Sequence, residues 1–62
     1  MSIDKKLLKR LRILYVEDDA VIRNELSQLL SNFFHTVYTA EDGKEGLEIY
    51  LHNQDDIDII LS

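Results

Sequence analysis

Apolar and polar positions fall in blocks along this chain, and after a short leader the blocks predict strand, helix, strand, helix, strand. From residue 12 to residue 16, Ile13, Leu14, Tyr15 and Val16 follow one another without a polar break. A short unbroken apolar run of this kind is that of a strand covered on both faces. Ile22, Leu26, Leu29, Leu30 and Phe33 then recur at helical spacing on one face, with Asp18 or Asp19 placed to cap the first turn. Residues 32–35 end that helix. Residues 36–40, "TVYTA", are β-branched and aromatic enough for a second strand. Glu41, Asp42 and Gly43 make a turn. Leu47, Tyr50 and Leu51 mark a second helix over residues 44–52, with Gly46 allowing close approach to a sheet. A polar loop at 53–56 leads to a third strand over residues 57–61, apolar except for Asp58.

Strands that alternate with helices imply right-handed crossovers and a parallel sheet with helices on its faces. In such sheets the carboxyl ends of the strands are the working edge, and ligands collect where the strand order reverses. Glu17, Asp18 and Asp19 stand together at the carboxyl end of the first strand, and Ser62 stands at that of the third. Three adjacent carboxylates repel one another, and a capped turn needs only one. Either a helix N-terminus is oversupplied with acids, or the acids hold something positive.

Residues 1–11 form a basic amphipathic leader. Ile3, Leu7, Leu8 and Leu11 recur at helical spacing, which predicts a short helix docked on the domain. Up to Arg12 the chain sets Lys5, Lys6, Lys9, Arg10 and Arg12 against Asp4. Thereafter only Arg23 and Lys44 oppose the acids, and the whole chain carries a formal net charge of −5. This acidic remainder disfavours a nucleic-acid surface beyond the leader.

With 62 residues there is room for one small domain, whose stability alone is marginal. There is no cysteine, so neither a disulfide nor a thiolate metal site supplements the core. No apolar run is long enough to span a bilayer, and the leader lacks the apolar stretch of a signal peptide. The expectation is a cytoplasmic protein without a membrane segment.

Other candidate chemistry is thin. His35 and His52 stand alone near helix ends, where a contact with the C-terminal dipole accounts for them. Gly43 and Gly46 lack the spacing of a phosphate or dinucleotide loop. An EF-hand fails too, because with Gly43 as its turn glycine the first ligand would be Tyr38. No catalytic constellation is present, and no enzyme is expected.

Three stretches together carry a family resemblance: "ILYVEDDAVIRNEL", "TAEDGKEGLE" and "DIDIILS". They resemble the N-terminal half of a response-regulator receiver domain of two-component signalling. The resemblance covers residues 12–62 and is strongest in "VEDD" after an apolar strand followed at this distance by "AEDGKEGL". It implies an α/β fold, the βαβαβ half of a flavodoxin-like (CheY-like) doubly wound parallel sheet. CheY is a standard example of the 2-1-3-4-5 strand order.

The resemblance implies a function of phosphorelay signal transduction: a receiver accepts a phosphoryl group from a histidine kinase or phosphotransfer protein. By position, Glu17 and Asp18 resemble the acid pair that holds Mg²⁺, Asp18 directly and Glu17 mostly through water. Mg²⁺ suits such a site because it takes hard oxygens, keeps several waters and needs one or two carboxylates beside a phosphate. Asp19 is better read as the helix cap. The phospho-accepting aspartate is expected immediately after Ser62, so residues 1–62 contain no acceptor and should be inactive alone, with weak Mg²⁺ binding. Asp58 does not replace it, lying ~13 Å before the carboxyl edge at strand rise, where a loop-facing or capping role suits it. Nucleic acid would be contacted only through an output domain that these residues do not include. The alternative is a receiver-like protein-interaction module that phosphorylation does not regulate. Either way, a third strand without a fourth neighbour leaves residues 57–61, Ile57 to Leu61, as an apolar edge expected to self-associate.

Overall fold

The computed structural model describes residues 4–62 and contains three strands and three helices. In chain order these are α1 (Lys5–Leu8), β1 (Arg12–Val16), α2 (Ala20–Ser31), β2 (Thr36–Ala40), α3 (Gly43–His52) and β3 (Ile59–Leu61). The strands form one parallel sheet in the order β2-β1-β3. No helix among the described residues is long and apolar enough to cross a membrane.

β1 is the centre of the fold for the reason its sequence suggests. Flanked by strands on both sides, it satisfies its backbone groups in two ladders and turns apolar side chains to both faces. Ile13, Leu14 and Tyr15 are 2%, 1% and 5% exposed, and with Ala40 they are the buried hydrophobic core. Burying an aliphatic side chain of this size contributes about 1.5–3 kcal/mol, so a few residues of β1 supply much of the fold's stability.

The two crossovers run in opposite directions. α2 carries the chain from β1 to β2 at one edge, and α3 carries it back across β1 to β3 at the other edge. Right-handedness of both connections then puts the helices on opposite faces. The register agrees: Val16 pairs with Ala40, and both lie beneath α3, against Gly46. A Cβ built on Gly46 would meet Val16 Cγ2 at 3.0 Å and Ala40 Cβ at 3.7 Å, so glycine lets α3 sit this close. Each of the longer helices is capped by an acid. Asp19 Oδ1 accepts from the amides of Val21 and Ile22 at 2.9 and 3.0 Å, and Asp42 Oδ1 accepts from Glu45 N at 2.8 Å.

Two expectations need correction. The third strand begins at Ile59 rather than Ile57. The carbonyl of Asn53 takes the amides of Asp56 and Ile57 at 2.9 and 3.1 Å, which binds Ile57 into the preceding turn. Asp58 then grips the start of β1: its amide donates to Arg12 O at 2.9 Å and its Oδ2 accepts from Arg12 N at 2.8 Å. Asp58 is thus a clamp between strand ends, the capping role its position suggests. The leader also departs from expectation. Its helix is only 4 residues long, buries no residue and packs on no other helix or strand. One turn presents too little apolar surface to dock, and Leu7 is 54% exposed. Ile3, assigned to the same face, lies outside the described residues.

Candidate functional site

The acids after β1 sit on a turn whose backbone is fixed from several directions. Glu17 N extends the ladder to β2 by donating to Ala40 O at 3.0 Å. Glu17 O accepts from Arg23 Nη1 at 2.8 Å, a part-buried hydrogen bond from the second turn of α2. The carboxylate of Glu17 folds back and accepts from Asp18 N at 3.0 Å. Asp19 closes the turn as the N-cap of α2, and its carbonyl accepts from Arg23 N at 2.8 Å. The strand end, the following acid and the helix start are therefore held as one unit.

The three acids divide their work. Asp19 is spent on capping, where its charge also suits the helix dipole. Glu17 is half-buried and commits one oxygen to the backbone. Asp18 is exposed, and among the described residues its carboxylate accepts no hydrogen bond. A free carboxylate beside a partly committed one, on a rigid turn, can give oxygen ligands to a hard cation such as Mg²⁺. The donor set fits that ion in kind and falls short in number: no group of three or more acidic, histidine or cysteine side chains converges among the described residues. Glu17 and Asp18 would hold Mg²⁺ only with water and a further anionic ligand completing the shell.

Arg23 escaped the sequence reading, although a signal was there. It is one of two cations after Arg12, and it stands four residues beyond the capping Asp19, where one helical turn returns it to the acids. Tyr15 was likewise taken only as part of a strand. Burial pushes its hydroxyl above the ordinary tyrosine value, Glu17 and Asp19 add to the rise, and Arg23 opposes it. At neutral pH this phenol stays protonated beside the acidic turn.

The remaining candidates lie elsewhere. Glu41 and Asp42, at the carboxyl end of β2, serve the start of α3, with Glu41 N donating to Glu45 Oε1 at 3.2 Å. His52 Nδ1 lies 2.8 Å from Glu48 O in the last turn of α3, as expected of a helix-end histidine. His35 does not behave so: its Nδ1 pairs with Thr36 Oγ1 at 2.7 Å, outside the helix. Ser62, at the carboxyl end of β3, is exposed on the rim of an open groove of about 430 Å³ with Leu14, Val16, Leu47, Tyr50 and Ile60.

The acid turn and Ser62 flank the gap between β1 and β3. Both stand at the carboxyl ends of adjacent strands, the edge at which open α/β sheets bind ligands. Compared with known protein families, with curated proteins and with solved structures, the chain finds no match in any of the three.

Proposed function

We propose that this chain is receiver-type machinery of a phosphorelay, in which Glu17 and Asp18 hold Mg²⁺ for transfer of a phosphoryl group from a histidine kinase or phosphotransfer protein. The observation that carries the reading is the division of labour among three adjacent acids at the β1–β3 gap. One caps α2, while a neighbouring carboxylate stays free on a turn that Arg23 and Ala40 hold still. A turn that needed only a cap would gain nothing from the repulsion of two more carboxylates. The strand order β2-β1-β3 supports the finer assignment, since it is the first half of the 2-1-3-4-5 flavodoxin-like order. The resemblance of "VEDD", "AEDGKEGL" and "DIDIILS" to receiver domains adds to it.

The chemistry follows from the charges. A phosphoryl group moving onto a carboxylate brings negative charge against negative charge, and Mg²⁺ would offset that charge and orient the oxygens. Asp18 would supply an oxygen ligand directly, and Glu17, tied to the backbone through one oxygen, would act through water with the other. Arg23 keeps the turn in place from beneath without spending its charge on the carboxylates, because it donates to a backbone carbonyl. The acceptor carboxylate is a further residue beside Ser62, and no residue among 1–62 takes that part.

Phosphorylation tests this reading. Residues 1–62 incubated with Mg²⁺ and acetyl phosphate should keep their mass. The product of the complete gene should gain one acid-labile phosphoryl group on an aspartate adjoining Ser62. A residue other than aspartate there, with no adduct formed, contradicts the phosphorelay and leaves an interaction module. An acid-labile adduct on residues 1–62 themselves overturns the assignment of the acceptor.

A further inference from the structure

Asp18 lies between two backbone carbonyls, and one residue of α2 holds both. Arg23 Nη1 donates to Glu17 O at 2.8 Å, and Arg23 N donates to Asp19 O at 2.8 Å. The second bond is the ordinary first-turn bond of a helix, which any residue but proline makes. The first belongs to the side chain and answers a need of the sheet. The ladder of β1 and β2 runs in register to Val16 and Ala40, and Glu17 N extends it to Ala40 O. β2 ends there, and Asp42 leaves the sheet as the N-cap of α3. Glu17 O therefore stands where the ladder runs out, and a partly buried carbonyl needs a donor. The guanidinium supplies it.

We infer that Arg23 is the positioning residue of the Glu17–Asp18 carboxylate pair: it clamps the carbonyls on both sides of Asp18 and so fixes where the two carboxylates stand. Asp18 N is anchored as well, by the Glu17 carboxylate at 3.0 Å. The backbone is thus tied at residues 17, 18 and 19, while Asp18 itself stays exposed. An arginine that forked onto the carboxylates would occupy the oxygens a cation needs. Arg23 is half-buried and gives its hydrogen bond to the backbone instead. That the clamp serves a cation rests on the Mg²⁺ reading proposed above; the clamp itself is measurable without metal.

Two effects of Arg23 on that site have opposite sign, and this separates a clamp from a mere neighbouring charge. As a positive charge beside the acids it repels Mg²⁺, so deleting the charge alone would tighten binding. As a clamp it holds the ligands in place, and losing such an outer partner weakens metal binding about 10–100-fold. Salt weakens the repulsion of exposed charges and leaves the geometry untouched. In salt the geometric effect is the larger, and binding falls although a competing cation has gone. Lysine at this position keeps the charge but replaces the planar fork with a point donor on a flexible stem.

Arg23→Met tests the inference, because it keeps the apolar stem and removes both the charge and the donor. In a Mg²⁺ titration of the 62-residue chain at about 0.1 M salt, followed through the amides of Glu17 and Asp18, it should weaken binding about tenfold. Lys44→Met removes the same charge from an exposed position on α3 and should leave binding unchanged or slightly tighter. Arg23→Lys should restore part of the loss. Hydrogen exchange without metal reads the clamp directly. In Arg23→Met the Asp18 amide should exchange on the order of tenfold faster. The amides of Leu14 in β1 and of Val21 and Ile22 at the Asp19 cap should be unchanged, which shows that the fold persists. Mg²⁺ binding that is unchanged or tighter in Arg23→Met, or Asp18 exchange that the substitution leaves alone, would overturn the inference. A titration of the intact chain that Asp18→Ala does not alter would instead refute the cation reading, and faster Asp18 exchange in Arg23→Met would still support the clamp.

Discussion

Leu14→Ala is expected to remove about half of the chain's stability. Leu14 is the largest fully buried side chain, 1% exposed, with its backbone in the central strand between β2 and β3. Truncating such a leucine costs about 2–5 kcal/mol, part from lost transfer and part from the cavity left behind. A domain of this length has only about 3–9 kcal/mol of stability in total. The loss is therefore about half of the total. Urea denaturation followed by circular dichroism measures it, with Leu51→Ala as the reference. Leu51 is 55% exposed, and its truncation should shift stability by about 0.5 kcal/mol or less. Similar midpoints for the two variants would mean that the core does not sit around β1.

Gly46→Val should be the next most damaging change, for the opposite reason. Any Cβ at this position arrives 3.0 Å from Val16 Cγ2, and a branched side chain adds atoms where the sheet already lies. Overpacking of this kind costs about 1–3 kcal/mol. It would also push α3 away from Val16 and the end of β1, close to the acidic turn. Gly43 gives the contrast within the same helix, since nothing lies within 4 Å of a Cβ built there. Gly43→Ala should stabilise by about 0.5 kcal/mol through helix propensity and a less disordered unfolded chain. Opposite signs at two glycines three residues apart are the signature of close helix–sheet packing. Equal effects would show that α3 does not rest on Gly46.

The pattern of apolar positions was enough to find β1, α2, β2 and α3, because in each the period and the cap point the same way. "ILYV" is too short and too apolar for anything but a covered strand, and Asp19 and Asp42 stand where helices need N-caps. The start of β3 was not legible. Ile57 looks like its neighbours Ile59 and Ile60, and only the fold reveals that Asn53 O and Arg12 take the hydrogen bonds of residues 57 and 58. The leader misled in a related way, since helical spacing says which residues share a face and not whether anything lies beneath it. Most of the intended face of α2 is also open: Ile22, Leu29 and Phe33 remain exposed, although the helix packs on β1 and β2. At the site, sequence singled out Glu17 and Asp18 by their crowding. It could not show that Arg23 secures the turn through Glu17 O, because a contact from a side chain to a backbone carbonyl leaves no pattern in the residue string.

Titration with Mg²⁺, followed through the backbone amide resonances of residues 1–62, tests the claim at the centre of this account. With two carboxylates and no third anion, binding should be saturable and weak, in the millimolar range or above. The shifts should concentrate at Glu17, Asp18 and the neighbouring Ala40. In a folded Asp18→Ala variant they should vanish, while the Asp19 cap keeps α2 intact. Shifts spread evenly over Glu41, Asp55, Asp56 and the other surface acids, or a titration unchanged by Asp18→Ala, would show that the acids after β1 hold no cation.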